Sequence, residues 1–252
     1  MKPVPLMAHD ASVRRLERVW RILEDHGVEP WLDQGSLLGV VRDGRLIPWD
    51  NDIDISCWRT QWDRNETAIL RALEEARFHY TVRKRGLSLQ PEGATMFIDL
   101  SFKHVEGNRV LGEFGTPPRS AMEGYLRRLA YKSRFLRGAL GSPGAVESTP
   151  ARRMLSRLAP RMVPRKVALM IERALFQISG NTVEQRIPAH FLERFTPIAW
   201  SGHDWRAPAD VDGYLAFKYG PDWRKPRREY VYYLEDGAIA RPPGAPPTDP
   251  TA

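Results

Sequence analysis

A single cysteine, Cys57, in 252 residues leaves no partner thiol for an internal disulfide and too few ligands for a structural zinc site. A reducing compartment fits that usage best. No apolar run reaches the roughly 18 residues a membrane-spanning helix needs, and the opening MKPVPLMAHDAS lacks the apolar core of a signal peptide. The expectation is a cytoplasmic protein, at most peripheral at the inner membrane face. The six histidines, His9, His26, His79, His104, His190 and His203, show no HExxH or similar spacing, and no Walker A, GxGxxG or GxSxG element occurs. Acidic residues are also in deficit, 31 Asp and Glu against 38 Lys and Arg, for a formal charge of +7. A pI near 9.7 favours anionic partners: nucleotides, nucleic acid, phospholipid or a phosphorylated glycan. With 42% hydrophobic and 27% charged residues, the chain can bury a full core as one elaborated domain or as a catalytic domain with an appendage.

What is present centres on Trp31 to Ser56, WLDQGSLLGVVRDGRLIPWDNDIDIS. Trp31-Leu32-Asp33 reads as a strand end, Gly35-Ser36 as a tight turn, and Leu37 to Arg42 as a short helix whose first N–H groups would attract phosphate. Asp43-Gly44-Arg45 forms a second turn. Asp52-Ile53-Asp54-Ile55 then alternates as a half-buried strand does, so Asp52 and Asp54 share one face and the isoleucines enter the core. Two adjacent carboxylates repel unless a cation lies between them, and their hard oxygens suit Mg²⁺ or Mn²⁺. The competing reading is a solvated edge strand. Asp50 has the same parity but lies nearer the turn, as a supporting group or an exposed one. Position 51 is expected on the opposite face.

Gly35-Ser36 followed by Asp52-x-Asp54 resembles the nucleotidyltransferase fold superfamily. The wording GSLLGVVRDGRLIPWDNDIDI, with Leu37-Leu38-Gly39, Arg42 and Ile47-Pro48-Trp49-Asp50, resembles the LicD family of phosphocholine and ribitol-phosphate transferases. That family usually carries Asp where this chain has Asn51. The resemblance implies an α/β (α+β) fold, a nucleotidyltransferase-like mixed sheet flanked by helices with a helical C-terminal addition. It also implies a third carboxylate on a strand beside Asp52-x-Asp54, and the candidate is Asp99. That acid stands alone in the strand Thr95 to Phe102, where burial is costly unless it is paired, hydrogen-bonded or metal-bound. Its alternative is a structural Asp paired with Arg or Lys. Gly35, Ser36 and Arg42 are the candidate donor-phosphate group, against a plain turn with N-cap and an ion pair of Arg42 with Asp43 or Asp33. Lys103, at the end of the same strand, either meets substrate or is a solvated lysine.

Around these motifs, a helix capped by Asp10 or Ser12 should run to about His26 and stop at Gly27, a second should span Trp62 to Arg77, and strands should follow at 78–82 and 86–89. Between Arg119 and Arg173 thirteen Lys and Arg face three Glu, a balance of +10 that leaves −3 for the rest. Basic amphipathic helices are expected over 122–140, 152–158 and 167–178, with a linker at 141–150. They either cover the sheet with a solvated positive face or meet anionic lipid or a phosphorylated acceptor. The run Ala207 to Trp223, with a Tyr-Leu helix ending at Tyr219-Gly220, resembles the closing element of LicD-like proteins. Tyr214, Tyr219 and Trp223 read as core aromatics in preference to a choline cage. The expected organisation is a catalytic core over 1–118, a basic segment and closing element over 119–237, and a Pro-rich disordered tail over 238–252. The function the resemblance implies is a Mg²⁺-dependent transfer of a phospho-alcohol, such as phosphocholine, from a CDP-alcohol to a glycan hydroxyl, lipid-linked acceptors included, with release of CMP. Nucleotidylyl transfer from an NTP and a catalytically inactive RNA- or membrane-binding adaptor are the alternatives. Nucleic acid is not the expected partner.

Overall fold

Alternation of polar and apolar residues builds a sheet whose two faces have opposite chemistry. The computed structural model describes residues 6–83, 86–91, 96–133, 163–179 and 182–239. In chain order they form α1 (Leu6–Asp25), β1 (Trp31–Leu32), α2 (Gln34–Asp43), β2 (Asp52–Trp58), α3 (Arg59–Glu75), β3 (Phe78–Arg83), β4 (Gly86–Pro91), β5 (Phe97–Glu106) and β6 (Arg109–Gly115). There follow α4 (Ala121–Ser133), α5 (Arg165–Ser179), β7 (Thr182–Pro188), a 3₁₀ turn (Ala189–Leu192), β8 (Phe195–Trp200), β9 (His203–Pro208), α6 (Val211–Tyr219) and α7 (Tyr232–Glu235).

Seven strands form the main sheet in the order β1-β2-β5-β4-β3, with β6 continuing from the far half of β5 and β7 pairing β6. Only β2 and β5 run parallel, and the helix α3 in the crossover between them lies against both; the other pairs are antiparallel. The fold is therefore the expected mixed α/β sheet flanked by helices. Ile53, Ile55, Ile98, Leu100, Leu87 and Leu89 are buried on one face, where α3 packs; each such side chain contributes roughly 1.5–3 kcal/mol of burial. Trp62 of α3 meets Phe102 there with ring centroids 4.8 Å apart. The opposite face carries Asp52, Asp54, Ser56, Asp99, Ser101 and Lys103.

Several boundaries differ from the sequence expectation. Helix α1 begins before Asp10 and Ser12, which lie inside it; Ser12 donates to Met96 Sδ at 3.2 Å instead of capping. Its end at Gly27, φ +70°, is as expected. The strand expected over 95–102 extends to Glu106 because β6 pairs with its far end. The C-terminal addition is helix plus strand: β7 joins the sheet, and the β8–β9 hairpin packs beside β1, with Trp31 and Phe195 centroids 5.0 Å apart. Ile239, expected in the tail, bridges Gln185. The expected helix over 122–140 is seen as α4 to Ser133. Its remainder, the 141–150 linker, the 152–158 helix and the tail from residue 240 lie outside the described residues.

Candidate active site

Helix α2 begins three residues earlier than its apolar periodicity suggests, and that shift builds the site. The cap is Asp33 and not Ser36: its backbone carbonyl accepts from Leu37 N–H at 3.0 Å and its Oδ1 from Gln34 N–H at 2.8 Å. Gly35 and Ser36 therefore occupy the first helical turn, whose N–H groups have no intrahelical acceptor. Ser36 Oγ accepts from Asp54 N–H at 2.8 Å, which fastens the helix start to β2. Gln34 reaches this geometry with φ +50°, a left-handed conformation that is uncommon away from glycine.

Gly35 faces the carboxylates. A Cβ there would lie 2.7 Å from Asp50 Oδ2 and 3.6 Å from Asp54 Oδ2, so glycine is required by close approach. Gly35→Ala is expected to push Asp50 aside and narrow the space beside the helix start. For the phosphate-binding role expected of this helix start, isothermal titration with a nucleoside diphosphate should show affinity down by about tenfold or more.

Parallel pairing sets Asp54 directly opposite Asp99, and Ser88 of β4 stands on the other side of Asp99. Asp50, Asp52, Asp54 and Asp99 line one cavity of about 670 Å³ together with Gln34, Gly35 and Arg42. Burial raises the Asp52 pKa to about 8, helped by the hydrogen bond and charge of Asp50 and by Asp99, against the pull of Arg83. Burial likewise holds Asp54 well above the ordinary carboxylate range, with Asp52, Asp50, Asp99 and Asp33 adding to it. Such crowding is how a protein prepares a place for positive charge.

Asp99 meets both readings at once. It borders the cavity, yet its Oδ2 accepts from Arg83 Nη1 at 2.8 Å and its Oδ1 from Ser88 Oγ at 2.7 Å. Among the described residues, no group of three or more His, Cys, Asp or Glu side chains is arranged to hold a metal ion. The donor chemistry of Asp52 and Asp54 suits a hard divalent cation, while Asp99 beside them is engaged by Arg83 and Ser88 and keeps one further lone pair on each oxygen.

Arg42 borders the cavity but is held by Asp43, with Nη2 to Oδ2 at 2.7 Å, the ion pair considered from the sequence. Asp50 also lies on the cavity. So does Asn51, against expectation, because it precedes β2 and the alternation of faces starts only at Asp52.

Lys103 departs furthest from expectation. It is neither solvated nor on the cavity: it is fully buried, with Nζ 2.6 Å from Gln185 Oε1 and 3.6 Å from Asp33 Oδ2. Gly112 of β6 leaves room for this ammonium, since a Cβ there would be 2.7 Å from Nζ. Asp33 also accepts from Ser56 Oγ at 2.6 Å and Tyr214 Oη at 2.7 Å. Burial works to raise its pKa, but Lys103, Lys218 and those two hydroxyls outweigh it and bring the group down to about 2. Lys218 of α6 is equally buried and pairs with Asp236 at 3.0 Å. Two acids and two lysines thus form a buried, charge-balanced group under the start of α2.

At the far wall of the cavity, sequence reasoning named Trp49, Tyr219 and Trp223 but missed Arg83, Phe114, Arg228, Tyr230 and Tyr232 as cavity residues. Trp49, Arg83 and Phe114 join Tyr219, Trp223, Arg228, Tyr230 and Tyr232 there, and the Arg228 guanidinium lies 5.2 Å over the Trp49 ring. Tyr214 is a core aromatic as expected, whereas Tyr219 and the mostly buried Trp223 also touch the cavity.

Residues 27–123 match the family model described as "LicD/FKTN/FKRP, nucleotidyltransferase domain". Over those residues, under half of its length, the chain is similar to the LicD nucleotidyltransferase domain. Curated relatives include "Ribitol 5-phosphate transferase FKRP" of Homo sapiens, 27% identical over 201 residues, and of Mus musculus, 26% identical over 200. Each alignment covers 79% of this chain and 29% of the relative, so the chain spans under a third of their length. Among solved structures, ANT(2")-Ia in complex with adenylyl-2"-tobramycin superposes with TM-score 0.32 at 12% identity, covering 67% of this chain and 98% of that one. The E. coli MS115-1 CdnC:HORMA-deltaN complex gives TM-score 0.31 at 15% identity, covering 64% and 61%. The LicD match takes in every carboxylate of the cavity apart from Asp222; α6 and the aromatic wall from Tyr219 onward lie beyond it. No described helix is long and apolar enough to cross a membrane.

Proposed function

We propose that this chain transfers a phospho-alcohol from a CDP-linked donor to a glycan hydroxyl, releasing CMP. The observation that carries this reading is the meeting of Asp50, Asp52, Asp54 and Asp99 with the first turn of α2 in one cavity. The similarity to ribitol 5-phosphate transferase adds the transferred group: ribitol phosphate is a second choice of phospho-alcohol beside phosphocholine.

Asp52 and Asp54, with Asp99 beside them, would hold Mg²⁺ or Mn²⁺. Such an ion would neutralise donor phosphate charge and lower the pKa of the acceptor hydroxyl. The residues of the chain supply the rest. The N–H groups of Gly35 and Ser36 bind a donor phosphate oxygen. The acceptor oxygen attacks the phosphorus that carries the alcohol, the bond from that phosphorus to the CMP oxygen breaks, and CMP leaves with the bonding pair. Asp99 takes the hydroxyl proton, and Arg83 then turns to the transferred phosphoryl oxygens.

Purified protein incubated with CDP-choline, CDP-ribitol and the four NTPs, with divalent ion and a glycan acceptor, should release CMP from a CDP-alcohol. Asp99→Asn, which keeps the shape but cannot take the proton, should lose about 10²–10⁴-fold in rate while still binding donor. Pyrophosphate from an NTP, in place of CMP, would instead establish nucleotidylyl transfer.

A further inference from the structure

Large exposed hydrophobic side chains on the described residues are concentrated on one helical pair. Met122, Tyr125 and Leu129 of α4 are exposed, as are Val167, Met170, Ile171 and Ile178 of α5; Met122, Met170 and Ile178 are 66%, 64% and 69% exposed. Their spacing is i, i+3, i+7 on α4 and i, i+3, i+4, i+11 on α5, with exposed Ala174 completing the second stripe. Each helix therefore presents a continuous apolar stripe outward. This is not a face left over from core packing. Helix α5 already buries Ala168 and Leu169, lies against α4 and β3, and is tied to α3 by the Arg173–Glu66 ion pair. Contiguous apolar surface of this kind marks an interaction site.

We infer that the outward face of the α4–α5 pair is a docking surface for a lipid bilayer carrying anionic headgroups. Charge selects that occupant. The stripes lie in the segment 119–178, which has thirteen Lys and Arg against three Glu, and Arg119, Arg128 and Lys166 are exposed on it. An apolar stripe flanked by basic residues is the pattern of a helix lying in the plane of a membrane interface. A second copy of this chain fits worse, because a two-fold dimer through this face would set one strongly basic segment against another.

The topology gives the surface a use. The segment carrying α4 and α5 leaves the sheet at Gly115 and returns at Thr182, which are register partners on β6 and β7. Glu113, Phe114 and Gly115 border the cavity, so docking would hold the cavity beside the membrane, where a lipid-linked acceptor would be met. The docking itself does not depend on the transfer reaction.

Flotation of the full chain with phosphatidylcholine vesicles, alone or mixed with phosphatidylglycerol, tests this without any turnover. The wild type should float with the anionic vesicles at low salt and be released at roughly 0.3 M salt, where the Debye length falls below about 8 Å. Met170→Ser/Ile178→Ser and, separately, Arg119→Gln/Arg128→Gln/Lys166→Gln should each weaken binding by about tenfold or more. Both variants should keep the wild-type melting temperature and full turnover of a soluble acceptor. Absence of wild-type flotation at low salt, or undiminished binding by either variant, would overturn the proposal. So would a concentration-dependent dimer that the first variant abolishes, or a drop of several degrees in its melting temperature, since either shows the face covered by protein.

Discussion

Asp52→Asn should eliminate turnover and stabilise the ion-free protein, two effects of opposite sign from one substitution. The carboxylate shares its cavity with Asp50, Asp54 and Asp99, and burial with these charges raises its pKa to about 8. In the unfolded chain it returns to about 3.8. Between those values the folded state binds more protons than the unfolded one, so this group makes stability fall as pH rises from about 4 to about 8. An amide removes that cost. In the presence of EDTA at pH 8 the variant should be more stable by about 1–3 kcal/mol, roughly 2–10 °C in a chain of this size, and the gain should vanish near pH 4. Activity should drop by about 10³-fold or more, the scale of a lost charge-stabilising group. Thermal melts at several pH values and single-turnover assays check the two halves separately. A variant that is active, or that is destabilised equally at pH 5 and pH 8, would remove Asp52 from the reacting centre.

Lys103→Met should be strongly damaging to the fold. The lysine is fully buried against Asp33 and Gln185, and burial lowers its pKa while the Asp33 charge opposes that shift. Taking away the ammonium leaves Asp33 as a buried carboxylate short of a counter-charge, a loss of about 3–5 kcal/mol. In the wild type the Asp33 pKa is depressed to about 2, so its contribution is present above about pH 4 and is lost as pH falls towards 2. The deficit of the variant should therefore be largest near neutrality and shrink in acid, where Asp33 is protonated in either protein. Asp33→Asn/Lys103→Met removes both charges and should recover a substantial part of the stability at pH 7. Denaturant unfolding of the wild type, both singles and the double measures the coupling. A single variant within 1 kcal/mol of wild type at pH 7 would show that water, and not Asp33, solvates the lysine.

The same two residues show where the sequence was legible. Asp52 and Asp54 were readable because strand alternation assigns faces two residues at a time, and nothing outside the strand enters that assignment. Gly35 was readable as a special position, but its reason was not: the conflict with a side chain involves Asp50, fifteen residues away. Lys103 reads as a substrate contact or a solvated strand end in any local window. Its burial arises because β6, β7 and α6 close over that end of β5, and none of those contacts has a local signature. Asn51 failed for a smaller reason, the strand beginning one residue after it.

Composition and pattern by themselves therefore determined a sheet with helices between its strands, the common face of Asp52 and Asp54, a short helix ahead of them and the concentration of basic charge in 119–173, while the mixed strand order was implied by the family resemblance. Each of the former follows from side-chain identity at short range or from simple charge counting. Tertiary structure alone decided that Asp99 is held by Arg83 and Ser88, that Asp33, Lys103, Lys218 and Asp236 form one buried charge-balanced group, and that an aromatic wall from the last third of the chain closes the cavity. Those arrangements join residues as much as about two hundred positions apart, as in the Asp33–Tyr214 hydrogen bond and the Asp33–Asp236 coupling through Lys103 and Lys218. Burial cost and counter-charge act on distance in space, which the folded chain sets and the order of residues does not.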